Sequence, residues 1–128
     1  MQTFNKQERL CRRKVIKQLF SEGKSFLLYP FRVVWIASPK ENSLAKILIS
    51  VPKRNFKKAV TRNLLKRRIR EAYRKNKTVF YQNISNNEQT IAFTLYYVAK
   101  DVLEYSEIES KIILTLQRLS KSINEENN

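Results

Sequence analysis

Apolar residues recur along the chain with two different periods. From about Arg12 to Ser21 they fall at Val15, Ile16, Leu19 and Phe20, one side of a helix, and Gly23 follows as a left-handed stop. In SFLLYPFRVVWIAS, Pro30 divides a short edge segment from a strand at Phe31–Ala37. The run PKENS, Pro39–Ser43, reads as a hairpin loop. Leu44–Val51 then alternates, with Ala45, Ile47, Ile49 and Val51 on one face, and Pro52 ends it.

The helical period returns over about Phe56–Lys75. Asn76–Gln89 is polar and loop-like, with Val79–Tyr81 able to extend or cap the helix. Thr90–Val98 alternates again, Ile91, Phe93, Leu95 and Tyr97 against Ala92, Thr94 and Tyr96. A last helix begins at Ser106, where Ser106 and Glu109 have capping-box spacing. Its apolar stripe is Ile108, Ile112, Leu116, Leu119 and Ile123. The predicted order is α-β-β-β-α-β-α, an α+β sandwich of helices on a small sheet. Residues 1–128 make one domain, with Met1–Glu8 as a frayed arm and a frayed tail from about residue 121.

Charge changes this picture most. The 128 residues carry a net charge of +15, the footprint of a partner that is a polyanion. Residues 1–87 hold 22 Lys/Arg and 4 acids, whereas residues 88–128 hold 4 Lys/Arg and 7 acids. The window Lys53–Lys77 alone has 12 basic residues against the single Glu71. Within it, AVTRNLLKRRIREAYR is amphipathic at about 100° per residue. Leu64, Leu65, Ile69 and Ala72 gather on one side. Arg62, Lys66 and Arg70 form an i, i+4, i+8 ridge on another, beside Asn63, Arg67 and Arg74. Like charges at that spacing cost a lone helix a few tenths of a kcal/mol per pair, roughly. A solvated face normally mixes signs. Arginine also fits phosphate bidentately and stacks on bases. The ridge therefore reads as one side of an interface with nucleic acid. DNA is disfavoured, because a strand and not a helix-turn-helix precedes this helix.

Several chemistries are thinly supplied. With no His, imidazole acid–base catalysis and ligation are absent. One cysteine, Cys11, makes no intrachain disulfide, and the one glycine makes no phosphate loop. One aspartate, Asp101, and ten scattered glutamates offer no convergent carboxylate pair for a two-metal nuclease site. No apolar run approaches the roughly 18 residues of a membrane span, and the N-terminus lacks the apolar core of a secretory signal. Cytoplasmic residence is the expectation.

RNLLKRRIRE, Arg62–Glu71, resembles the Arg-Asn-x-x-Lys-Arg-x-x-Arg signature of the protein subunit of bacterial ribonuclease P. SVPKRNFKKAV, LFSEGKSF, IAFTLYYVAKD and YSEIESKIILTL are similar to the segments that surround it, so the resemblance runs from about Leu10 to Leu119. It implies a left-handed βαβ crossover, an exception to the usual handedness. It also implies a partner RNA that, with Mg²⁺ bound mainly by that RNA, cleaves precursor tRNA to leave the mature 5′ end. No catalytic residue and no metal ligand is then expected in this chain.

By motif position, Arg62, Asn63, Lys66, Arg67 and Arg70 sit at the catalytic RNA, and Lys53 and Arg54 match the basic pair before the helix. Lys57, Lys58 and Arg74 are grouped with them as RNA-binding. The single-stranded 5′ leader is expected in a cleft between the first helix and the sheet. Phe20 and Phe31 match its aromatics, and Arg13, Ile16 and Val34 are placed there with them. Ile16 and Val34 stand where the family commonly has aromatics. The implied partners are the catalytic RNA and precursor tRNA, with no membrane and no DNA, the protein being monomeric in the complex. Other readings are an RNA-binding ribosomal or assembly protein, a nuclease in its own right, and a membrane-surface protein. The last lacks an apolar exposed helix side with flanking Trp.

Overall fold

The elements follow the predicted order: α1 (Arg13–Glu22), β1 (Lys24–Leu28), β2 (Phe31–Pro39), β3 (Ala45–Ser50), α2 (Ala59–Asn83), β4 (Gln89–Tyr97) and α3 (Tyr105–Glu126). The computed structural model describes residues 13–41, 43–85 and 88–126, and of Arg13 and Lys14 the backbone alone. The expected N-terminal arm and Cys11 lie outside the described residues.

The strands form one sheet in the order β1-β2-β4-β3, β4 running antiparallel to β2 and parallel to β3. This corrects the hairpin reading of Pro39–Ser43, because β2 and β3 are not neighbours. The reason lies in β4. Ile91 to Leu95 are buried on both faces, so the backbone of β4 needs ladder partners on both edges. The loop after β2 therefore crosses the start of β4, and Thr90 staples it there. The Thr90 hydroxyl accepts from the Glu41 N–H at 2.8 Å and donates to the Ser43 carbonyl at 2.9 Å. The Ile91 N–H adds a bond to the Leu44 carbonyl at 3.0 Å.

One face of the sheet packs on α2 and α3. Phe31, Val33 and Trp35 of β2 and Ile91, Phe93, Leu95 and Tyr97 of β4 meet Leu65, Ile69 and Tyr73 of α2 and Ile108, Ile112 and Leu119 of α3. The predicted stripe of α3 is buried throughout, and its helix continues to Glu126 with Ile123 inside the core. That replaces the frayed tail expected from residue 121. The helix also begins one residue before Ser106, and the Glu109 carboxylate accepts from Asn76 Nδ2 and Tyr105 OH, so it does not form the expected capping box.

The α2 helix differs from expectation at both ends. Phe56 precedes it and packs into the core, its ring centroid 5.9 Å from that of Tyr97. At the far end the helix runs eight residues past Lys75, to Asn83, burying Phe80. The buried line 69, 73, 77, 80 passes through a lysine, which masks the apolar period in the sequence. Lys77 is 7% exposed, with its stem inside and its Nζ 5.8 Å from the Tyr81 ring centroid.

Among the described residues, the other face of the sheet carries only α1. Leu19 lies on Ala92, surrounded by Val15, Ile16, Val34, Ile36 and Leu48. Gly23 is not in the left-handed region. What it provides is close approach, since a Cβ there would stand 2.3 Å from the Leu19 carbonyl oxygen and 2.8 Å from Val34 Cγ1. That contact brings the end of α1 down onto β2, and no other described element covers this sheet face.

Candidate nucleic-acid interface

The basic surface starts in the loop after β3. Lys53, Arg54, Lys57 and Lys58 are exposed there, and Asn63, Arg67 and Arg70 are exposed on α2. Lys66 is half-buried between them. Lys58 is the N-cap of α2 and makes no side-chain capping bond, and the first turn holds no acid. Amide groups at such a terminus favour anions. Three of the arginines are partly committed. Arg62 Nη1 donates to the carbonyls of Phe56 at 2.8 Å and Lys57 at 2.9 Å, so it fixes the loop that presents Lys57 and Lys58. Arg74 forms a fork on Glu71, at 3.0 and 2.6 Å, which turns it along the helix. That bond from Arg74 is the main reason the Glu71 carboxyl is held below the usual carboxylate range. Arg68 donates to the Leu103 carbonyl at 2.6 Å and braces the loop after β4. There the Tyr97 hydroxyl donates to the Asp101 carbonyl and accepts from the Leu103 N–H. Burial pushes the Tyr97 phenol up.

Beside the basic loop, this sheet face forms a cavity of about 310 Å³ lined by Phe20, Gly23, Ser25, Arg32, Val34, Arg54, Thr94 and Tyr96. Among the described residues no carboxylate lines it. Phe20 is 59% exposed, a large ring held at the mouth by α1. Arg54 belongs to the loop and to this lining alike, so the basic surface and the cleft are one continuous surface.

The residues expected in the cleft divide. Phe20 and Val34 line it. Phe31 does not, which corrects that expectation. It is fully buried, its ring edge-on to Tyr97 at 6.1 Å, on the side of the sheet covered by α2 and α3. Side chains alternate along a strand, so Phe31 shares a face with Val33 and Trp35, and Arg32 shares the other with Val34. Ile16 is half-buried in the seam between α1 and the sheet and is not part of the lining. The Arg13 side chain lies outside the described residues.

Sequence reasoning missed Arg32, Ser25, Thr94 and Tyr96. The signal available was Arg32 itself, a charge between apolar neighbours that marks the open face of β2. Among the described residues no group of three His, Cys, Asp or Glu side chains is placed to hold a metal ion. No described helix is long and apolar enough to cross a membrane.

Comparison with known proteins agrees with this geometry. The ribonuclease P family model matches residues 4–120. The ribonuclease P protein component of Porphyromonas gingivalis is 36% identical over 121 residues, covering 93% of this chain and 88% of that protein. The corresponding protein of Citrifermentans bemidjiense is also 36% identical, covering 92% and 93% of the two chains. The solved structure of the ribonuclease P protein from Thermotoga maritima superimposes with a TM-score of 0.68 at 26% identity, over 87% of this chain and 96% of that one. A match over nearly the whole chain, with the basic helix inside it, shows that the chain belongs to the ribonuclease P protein component family.

Proposed function

We propose that this chain works as one copy on a catalytic RNA, in the cytoplasm, and helps it remove the 5′ leader of precursor tRNA. Asn63, Lys66, Arg67 and Arg70, with Lys53, Lys57 and Lys58, face the catalytic RNA, and Arg62 shapes the loop that carries the lysines. The cleft takes the single-stranded leader. The carrying observation is the continuity made by Arg54, which joins a basic helix and loop to a cleft with an exposed ring and, among the described residues, no acid.

The protein's own contribution is electrostatic and positional. Its cations screen phosphate repulsion, which lowers the Mg²⁺ the RNA needs. Phe20 offers a base a stacking surface that tolerates any sequence. Among the described residues no group of acids is placed to hold a magnesium ion, and Mg²⁺ is assigned to the RNA. Mature tRNA has no leader, so contact in the cleft separates substrate from product.

Replacing Phe20 by Ala is expected to weaken binding of precursor tRNA to the assembled enzyme by about 1–3 kcal/mol, a factor of roughly 5 to 150. Affinity for mature tRNA should stay unchanged. Paired equilibrium titrations of the two RNAs check this, and equal losses on both would refute the leader assignment. Phe20 is largely exposed, so the substitution leaves the core intact.

A further inference from the structure

We propose that Tyr97 is a positioning residue for RNA binding, an inference that rests on the reading of Lys57 and Lys58 as facing the catalytic RNA. Tyr97 is fully buried at the end of β4, on the sheet face covered by α2 and α3, so it is out of reach of any RNA. Its ring lies among apolar neighbours, edge-on to Phe31 at 6.1 Å and 5.9 Å from the Phe56 ring. A phenylalanine would fill that space without the cost of taking a hydroxyl out of water. Here the hydroxyl uses both its hydrogen-bonding roles on the loop after β4. It donates to the Asp101 carbonyl at 2.6 Å and accepts from the Leu103 N–H at 3.2 Å.

Those bonds close a circuit that begins and ends on α2. Arg68 donates to the Leu103 carbonyl at 2.6 Å, so Leu103 ties the Tyr97 hydroxyl to the helix. On its other side the Tyr97 ring supports Phe56, whose carbonyl accepts from Arg62, earlier on the same helix. The circuit runs Arg62, Phe56, Tyr97, Leu103, Arg68. Every member is held from two sides, and a fully satisfied network of this kind is rigid. Pinned at its far end, the phenol cannot rock, and Phe56 keeps its place against it. Lys57 and Lys58 follow Phe56 directly and are exposed. Arg62 also holds the Lys57 carbonyl, at 2.9 Å. A binding group works only when it is held within about 0.5 Å of its productive place. The buried hydroxyl thus sets, through one ring and one loop, where two surface cations stand.

The test is a double-mutant cycle on affinity for the catalytic RNA. Tyr97→Phe is placed in the wild-type chain and in a chain carrying Lys57→Ala and Lys58→Ala. It removes an oxygen and no charge, so the long-range field of the protein is unchanged. In the wild-type chain it should weaken binding by about two- to thirtyfold. In the chain without the two lysines it should cost nothing further. Arg68→Met, which opens the circuit from the helix side, should follow the same pattern. The midpoint of thermal unfolding should shift equally for Tyr97→Phe in both chains, which separates stability from binding. Unchanged affinity of the folded Tyr97→Phe protein, or an equal loss in both chains, would overturn the inference and leave the RNA-facing loop standing. A further loss from Arg68→Met in the chain without the lysines would mark Arg68 as an RNA contact and overturn the circuit. Wild-type affinity in the chain without the lysines would instead remove the reading of that loop, and the inference with it.

Discussion

Reversing the charge of Lys66, Arg67 and Arg70 to Glu should abolish stimulation of the catalytic RNA and leave the fold intact. The three residues lie on consecutive turns of α2, where Arg67 and Arg70 are exposed and Lys66 half-buried. Each phosphate contact contributes about 0.7–0.9 to the slope of log affinity against log salt. Losing three should flatten that slope by about two and weaken binding more than a hundredfold at moderate salt. Stability should not fall, because carboxylates at positions 66 and 70 would stand i, i+4 from Arg62 and Arg74 and replace like-charge pairs by opposite ones. The control is an equal change of net charge at the exposed Lys40, Lys100 and Lys121, which belong neither to α2 nor to the loop before it. It should cost far less. An equal loss in both triples would mean that net charge, and not this face, carries binding.

Phe93→Ala should have the largest effect on stability. Phe93 is fully buried at the centre of β4. Its ring meets Tyr73 edge-on at 6.0 Å and Phe80 at 5.7 Å, joining the sheet to the C-terminal half of α2. Emptying such a site costs about 3–5 kcal/mol, a large part of the roughly 5–15 kcal/mol that holds a domain together. The midpoint of thermal unfolding should drop by about 10–20 °C. The far half of α2, which Phe80 anchors, should show the greatest loss of amide-exchange protection. An unchanged midpoint would contradict the packing described for this face.

The same residue shows why much of the fold was legible. Ile91, Phe93, Leu95 and Tyr97 alternate without interruption, and so the strand and its buried face followed from period alone. The stripe of α3 was legible for the same reason. Pairing was not. The loop at Pro39–Ser43 has the composition of a hairpin turn, but β4 takes the position between β2 and β3 because it is buried on both faces. That is a demand of the whole sheet and leaves no local mark. The length of α2 was hidden by Asn76 and Lys77, polar residues on its packed side. Asn76 bonds the Ala72 carbonyl and Glu109, and Lys77 is buried with its Nζ over the Tyr81 ring.

In the candidate site the basic helix was plain, because twelve cations against one acid in a short window is a local pattern. The cleft depends on which strand face meets which. Phe31 and Arg32 are adjacent in sequence, and one-residue parity sends the ring to the core and the guanidinium to the cleft. Tyr96 joins Arg32 only through a register between residues 64 positions apart. Arg62 belonged to the signature, yet its bonds to the Phe56 and Lys57 carbonyls depend on the path of the loop before the helix. A linear pattern holds none of that.

The most direct test of the central claim is cleavage of precursor tRNA at low Mg²⁺ by the catalytic RNA of the same organism, with and without this protein. The account predicts little cleavage by the RNA alone, strong stimulation when the protein is added, and none by the protein without RNA. An RNA that is active at high Mg²⁺ but gains nothing from the folded protein at low Mg²⁺ would contradict it.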